Sequence, residues 1–232
     1  AGGVMRWLEE RGIGFDTGAA RVPLVCASCL YDLTVGSSTV RPGPEMGYAA
    51  CENAGNYQDG CHGAGTGASV GKFRGMGQAM KTGIGSYAVR LGQLEGGVVV
   101  ALNALGDVFD WRTGREAAGM LTPGRDGFLS TEGEMYRSSK VVKNKFVGNT
   151  TIGAVVTNAR FDKTAMNKIA AMAQNGMVRA IRPVNTTADG DSLYALSVGD
   201  VEADLDLVGT LAAQAVAEAI LRAADSAAGG YG

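Results

Sequence analysis

Val147-Gly148-Asn149-Thr150-Thr151-Ile152-Gly153-Ala154-Val155-Val156 joins two unlike kinds of chain. Before it, residues 131–145 read as a flexible, charged segment. From Thr150 onward a nearly continuous apolar run has the composition of a buried strand. A hydroxyl residue therefore stands at the first position of a core strand. Scission of the Asn149–Thr150 bond would give that residue a free amine as well, held rigidly by the strand behind it.

Working outward from this junction, strands are expected at 85–91, 98–102 and 107–111, with a turn at Glu95-Gly96-Gly97 and a long mobile loop over 112–147. Val98-Val99-Val100-Ala101-Leu102 is apolar at every position, which marks a central strand, and Asn103 stands at its end. On the other side of the junction, Met166, Ile169, Ala170 and Ala173 recur at helical spacing in a helix over 164–175, with Gly176 as its terminator. Strands at 178–181 and 192–197 should flank the polar turn Asn185-Thr186-Thr187-Ala188-Asp189-Gly190-Asp191. A last helix over 205–224 gathers Val208, Ala212, Ala215, Val216 and Ala219 on one face and leaves Glu218 and Arg222 as a solvent-exposed i, i+4 pair. At the start, Val4, Trp7 and Leu8 share a helix face that Gly12 ends. Strand structure is expected within 22–35, then a helix over 44–53 with Met46, Ala49 and Ala50 on one side. This order predicts an α+β fold in which an antiparallel sheet is covered by helices.

Composition bounds the function. The 232 residues are 46% apolar and 19% charged, which suits one compact core and not a disordered chain. A net charge of -2 without a basic face argues against nucleic acid as a partner. The apolar runs are read as shorter than the roughly 20 residues that span a bilayer, so no membrane partner is expected. No charged-then-apolar signal segment opens the sequence as it stands, and a cytoplasmic location is expected. The first residues read as the later part of a helix, so the sequence is expected to begin inside a larger protein. Cys26, Cys29, Cys51 and Cys61 lack a second short pair for a zinc site, and free buried thiols are the preferred reading.

The glycine-rich run Gly63-Ala64-Gly65-Thr66-Gly67-Ala68-Ser69-Val70-Gly71-Lys72 is not a phosphate loop, because Thr66 replaces the first glycine and Phe73 replaces the magnesium-binding hydroxyl. Its glycines allow close backbone approach, with Lys72 projected at the end. A single histidine, His62, closes most hydrolase arrangements. An α-amine, with a pKa near 7.7 to 8.0, is a base that needs no histidine, whereas bringing a lysine from about 10.4 to about 7 would cost about 4.6 kcal/mol. Lys72 is accordingly read as a cation and Thr150 as a candidate N-terminal nucleophile. Both Asn149-Thr150-Thr151 and Asn185-Thr186-Thr187 also fit the glycosylation acceptor pattern.

The runs Gly3-Val4-Met5-Arg6-Trp7-Leu8-Glu9-Glu10-Arg11-Gly12-Ile13-Gly14-Phe15, Gly63 to Lys72, Gly148-Asn149-Thr150-Thr151-Ile152 and Asp189-Gly190-Asp191 resemble the DmpA-like aminopeptidase and amidase family. Within it they are most similar to the branch that includes the 6-aminohexanoate (nylon) oligomer hydrolase. The resemblance implies an αββα sandwich like that of the N-terminal-nucleophile hydrolases. It also implies a precursor that cuts itself between Asn149 and Thr150 into a larger portion, 1–149, and a smaller chain, 150–232, which together form one domain. By the same resemblance Thr150 is the nucleophile, Lys72 the active-site lysine, Asn103 an oxyanion donor, and Asp189 with Asp191 the pair that orients the new amine. No cofactor or metal is implied. The implied partners are a small peptide or oligoamide substrate, the two cut chains for each other, and further copies in a homo-oligomer, with a tetramer favoured. A family tyrosine at the oxyanion site and the first strands of the larger chain would precede residue 1. A non-catalytic, assembly-forming relative and an acyltransferase using the same acyl-threonine are the alternatives.

Overall fold

The computed structural model describes residues 1–138 and 148–227. They fall into two compact units, one of residues 1–29 with 37–58 and one of residues 30–36 with 59 onward.

The first unit holds α1 (Gly2–Glu9), a two-stranded antiparallel ribbon of β1 (Phe15–Asp16) and β2 (Arg21–Val22), and α2 (Pro44–Glu52). Gly3 is why the helices can touch: a Cβ there would lie 1.7 Å from the Pro44 carbonyl oxygen. Around this contact, Arg6 grips Glu45 through both guanidinium nitrogens and Tyr48 Oη donates to Glu10 at 2.6 Å. Pro44 opens α2, where its missing N–H costs nothing. Two expectations fail here. The strand structure read within 22–35 stops at Val22, and Leu24 is 78% exposed, since no sheet lies there to bury it. Cys26 and Cys29 are exposed too, not buried.

The second unit begins with β3 (Ser69–Val70), β4 (Met80–Lys81), β5 (Ile84–Leu91), β6 (Leu94–Ala101), β7 (Asp107–Phe109), β8 (Glu116–Ala118), β9 (Met120–Leu121), β10 (Phe128–Leu129) and α3 (Thr131–Ser138). It continues with β11 (Ile152–Ala159), α4 (Lys163–Ala180), β12 (Ile181–Arg182), β13 (Ser192–Val201) and α5 (Leu205–Asp225). The main sheet runs β13-β11-β6-β5. It is mixed and not antiparallel, because α4 carries the chain across between β11 and β13 and leaves those two strands parallel. β6 is central, as its all-apolar run predicts. The hairpin turn, however, sits at Gly92, with φ +61°, and Gly96 and Gly97 pair inside the sheet.

One core joins the layers: Val98, Val100 and Val155 from the sheet, Ile169 from α4, Val216 and Ile220 from α5, all at most 3% exposed. α4 runs straight through Gly176 because that glycine is a contact and not a terminator. A Cβ there would lie 2.3 Å from the Ala213 carbonyl of α5. Val178 consequently belongs to α4, and only Ile181–Arg182 is strand. α5 is long and apolar enough to span a bilayer by composition, contrary to the sequence expectation, but most of it is core. Glu218 is buried and accepts from Trp111 Nε1 and Arg112, while Arg222 lies over the Tyr87 ring, so the expected exposed pair does not form.

The supposed loop from 112 onward is largely structured. Asp107 organises it: its carboxylate accepts from Met120 N–H and from both the N–H and the hydroxyl of Thr131, which fixes the start of α3. The remainder of the expected flexible segment, 139–147, lies outside the described residues.

Candidate active site

The parallel ladder between β11 and β13 does not stop at its named ends. Ser192 N donates to Thr151 O at 3.0 Å, Gly190 N donates to Asn149 O at 2.8 Å, and Asn149 pairs with Asp189 as a parallel bridge. The Asn149–Thr150 peptide is thus a rung of the sheet. It is held from the other side as well, since Thr150 N donates to the Asn103 carbonyl, just past the end of β6, at 2.8 Å. Thr151 N donates to Asp191 Oδ1 at 2.7 Å. Against this fixed backbone, Thr150 Oγ1 turns back and donates to the carbonyl oxygen of Asn149 at 2.6 Å. Thr151, by contrast, is fully buried and its hydroxyl has no partner among the described residues.

Lys72 reaches the same place from the glycine-rich segment. Gly71 has φ +66°, and a Cβ on it would lie 2.1 Å from Met120 N, so glycine is required where this backbone passes its neighbour. Gly71 N and Lys72 N are tied to the carbonyls of Gly106 and Leu105. Nζ of Lys72 then donates to Asn103 Oδ1 at 2.7 Å and to the carbonyls of Asn103 and Gly148, both at 3.2 Å. Three oxygens suit an ammonium with three protons. Burial nevertheless lowers the group to about 7, against the opposing pull of Asp189, Asp191 and Asp32. The shift that looked too costly from sequence is supplied by burial, and both protonation states are accessible near neutral pH.

Asn103 is 1% exposed, and every polar atom of its side chain is used. Oδ1 accepts from Lys72 and from Ser69 N; Nδ2 donates to the carbonyls of Tyr31 at 3.1 Å and Gly148 at 3.3 Å. Its amide therefore addresses Gly148, one residue before the Asn149 carbonyl. Asp189 and Asp191 lie on the β13 side of the same backbone. Asp189 accepts from Leu105 N and from the N–H and hydroxyl of Thr186, and Asp191 accepts from Thr151 N and Asn185 N. Burial raises the Asp191 carboxyl to about 6, with the Thr151 N–H pulling the other way. In the continuous chain the acceptor on Thr150 N is Asn103 O, so the two carboxylates frame Thr150 through its neighbours. All five residues singled out from sequence, Lys72, Asn103, Thr150, Asp189 and Asp191, converge on this one rung.

A cavity of about 330 Å³ opens beside them, within the 300–1,000 Å³ range common for small-molecule sites. Lys72, Asn103, Gly148 and Asn149 supply polar wall; Phe73, Met76, Leu105 and Met135 supply apolar wall. Tyr31 lines it as well. The family tyrosine is expected ahead of residue 1; Tyr31 sits in a stretch with no regular structure and no motif to mark it. His62 is exposed and has no part among these contacts.

The chain matches the family model "Peptidase family S58" over residues 1–230. An uncharacterized aminopeptidase of Mycobacterium leprae is 38% identical over 213 residues, covering 88% of this chain and 57% of the relative. A 6-aminohexanoate-oligomer endohydrolase of Agromyces sp. is 34% identical over 205 residues, covering 86% and 57%. The chain therefore spans rather less than two thirds of the length of these curated relatives. Among solved structures, the L-aminopeptidase D-Ala-esterase/amidase of Ochrobactrum anthropi, described as a variant of the Ntn hydrolase fold, superposes with a TM-score of 0.53 at 18% identity, over 79% of this chain and 50% of that one. A β-aminopeptidase of Burkholderia sp. gives 0.55 at 19% identity, over 96% and 63%. The α+β layering of sheet and helices is thus that of the Ntn hydrolases, and the chain belongs to peptidase family S58.

Proposed function

We propose that this chain carries the active site of an amide-bond hydrolase that matures by cutting its own Asn149–Thr150 bond and thereafter uses Thr150 as an N-terminal nucleophile. The observation that carries this reading is the Thr150 hydroxyl 2.6 Å from the carbonyl oxygen of the residue before it, on a backbone held from both sides. Such positioning makes the attack intramolecular and removes most of its entropic cost. The new amine then takes the hydroxyl proton when a substrate amide binds, since its pKa near 7.7 to 8.0 leaves a useful neutral fraction. Departure of Gly148 and Asn149 from the cavity wall frees the Asn103 amide to receive the charge that develops on the substrate carbonyl. Tyr31 lines the same cavity and is the candidate for the tyrosine that the family resemblance calls for. Lys72 steadies the carbonyls around this point, and Asp189 with Asp191 holds the ammonium form.

Small peptides and ω-amino-acid oligomers are the substrate class this reading favours, because relatives bear aminopeptidase and 6-aminohexanoate-oligomer endohydrolase names and the cavity combines one polar wall with one apolar wall. The test is N-terminal sequencing with intact mass. The purified protein should yield Thr-Thr-Ile-Gly-Ala-Val alongside its own N-terminus, and Thr150→Ala should remain a single chain. An uncut parent, or a cut Thr150→Ala, would refute the proposal.

A further inference from the structure

We infer that the oxyanion donor for self-cleavage is the backbone N–H of Gly190 in the Asp189-Gly190-Asp191 turn, a donor distinct from the Asn103 amide that serves the substrate. The inference rests on the proposed cut at Asn149–Thr150 and adds to it. Attack by Thr150 Oγ1 forms a bond from that oxygen to the Asn149 carbonyl carbon, and the π pair moves onto the carbonyl oxygen. As the carbon–nitrogen bond breaks, the hydroxyl proton ends on the Thr150 nitrogen, leaving an ester that water hydrolyses to an Asn149 carboxylate and a free Thr150 hydroxyl. The charge in the first step thus develops on Asn149 O.

Among the described residues, two donors touch that oxygen. One is the Thr150 hydroxyl itself, which loses its proton in the step. The other is Gly190 N–H, which already donates at 2.8 Å to Asn149 O in the ground state and so points at the oxygen on which the charge develops. Asn103 Nδ2 is committed one residue earlier, to Gly148 O, and Lys72 Nζ is committed to the same carbonyl and to Asn103. Gly190 is also the residue with no room for a side chain facing the nucleophile: a Cβ there would lie 2.8 Å from Thr150 Oγ1. The turn between the two acidic residues thereby does two things. It aims an N–H at the scissile carbonyl, and it leaves the hydroxyl free to turn onto it.

A backbone donor is removed without a new side chain by making residue 190 an ester, with glycolic acid incorporated by suppressor translation. Gly190 is exposed, so the change disturbs no core packing. The control is the same chemistry one rung along, with Ser192 replaced by its hydroxy acid, which deletes the ladder bond to Thr151 O and leaves Asn149 O untouched. The rate of conversion to two chains, followed by intact mass, should fall about 100- to 1,000-fold for the ester at 190, the usual loss for one oxyanion donor. The ester at 192 should slow it less than tenfold. Equal slowing at both positions would mean that the ladder bond is only structural and would overturn the inference, as would a parent-like rate at 190. Cutting of the parent at Asn149–Thr150 alongside any of these failures leaves the proposed function standing and removes only the role of Gly190.

Discussion

The tripeptide Asn-Thr-Thr occurs twice in this chain, at 149–151 and at 185–187, and the two copies do opposite things. In the first, the middle hydroxyl turns backward onto the preceding carbonyl, because the backbone on either side is already committed to a sheet: Asn149 O to Gly190, Thr150 N to Asn103, Thr151 N to Asp191. In the second, Asn185 has φ +56° and the chain is turning, so the Thr186 hydroxyl and N–H both reach forward to Asp189 Oδ2, at 2.6 and 3.0 Å. One copy has its geometry fixed by sheet neighbours on both sides; the other is an ordinary side-chain-closed turn. The second copy serves the first, since the carboxylates that its turn positions lie on the β13 side of the Thr150 backbone.

The largest way to break this contrast is to remove each hydroxyl in turn. Thr150→Ala should abolish conversion to two chains, and Thr186→Ala should still be cut at the same bond; intact mass reads both, and cutting in the former sinks the contrast. Next in size, Asn103→Ala should lower turnover of the cut enzyme on a small amide about 100- to 1,000-fold, as loss of one oxyanion donor does. A parent-like turnover would show that Asn103 only ties Tyr31, Lys72 and Ser69 together.

A smaller effect comes from pH. The Asp191 carboxyl, raised by burial to about 6, must be ionised for its bond from Thr151 N to be charge-assisted, and Lys72, lowered by burial to about 7, must be protonated to donate to three oxygens at once. Acid therefore weakens the first contact, and alkali takes one donor from the second. The maturation rate should be bell-shaped, falling below about pH 6 and above about pH 7, each limb approaching about tenfold per pH unit. Lys72→Met, in whatever maturation it retains, should lose the alkaline limb, and a limb that persists assigns it to another group. The smallest expected effect is on stability. Thr186→Ala deletes a hydroxyl bond to a carboxylate, which should cost about 1.5–3 kcal/mol in chemical unfolding and leave the cut site unchanged.

Much of this was legible in the residues. A continuous apolar run gives β6 and β11 without knowledge of their neighbours, since a strand inside a covered sheet has one face buried and the other largely shielded. Ordered motifs contain Lys72, Thr150, Asp189 and Asp191, and the family resemblance they carry adds Asn103, at the end of the central apolar run. What periodicity could not give was anything set by a contact distant in sequence. Gly176 reads as a helix end, and only the approach of α5 at Ala213 explains why the helix continues through it. Glu218 reads as solvated, and only Trp111 and Arg112, in the turn after β7, make it a buried acceptor. Tyr31 carries no local signal at all.

By itself, then, the sequence determined which segments could be buried and that a hydroxyl begins a core strand, because side-chain volume and polarity are local properties. The tertiary structure alone decided which of two identical tripeptides has its carbonyl polarised. Hydrogen-bond partners of a backbone group are chosen by pairing across the sheet, and the partner of Asn149 O lies 41 positions away in the numbering, at Gly190.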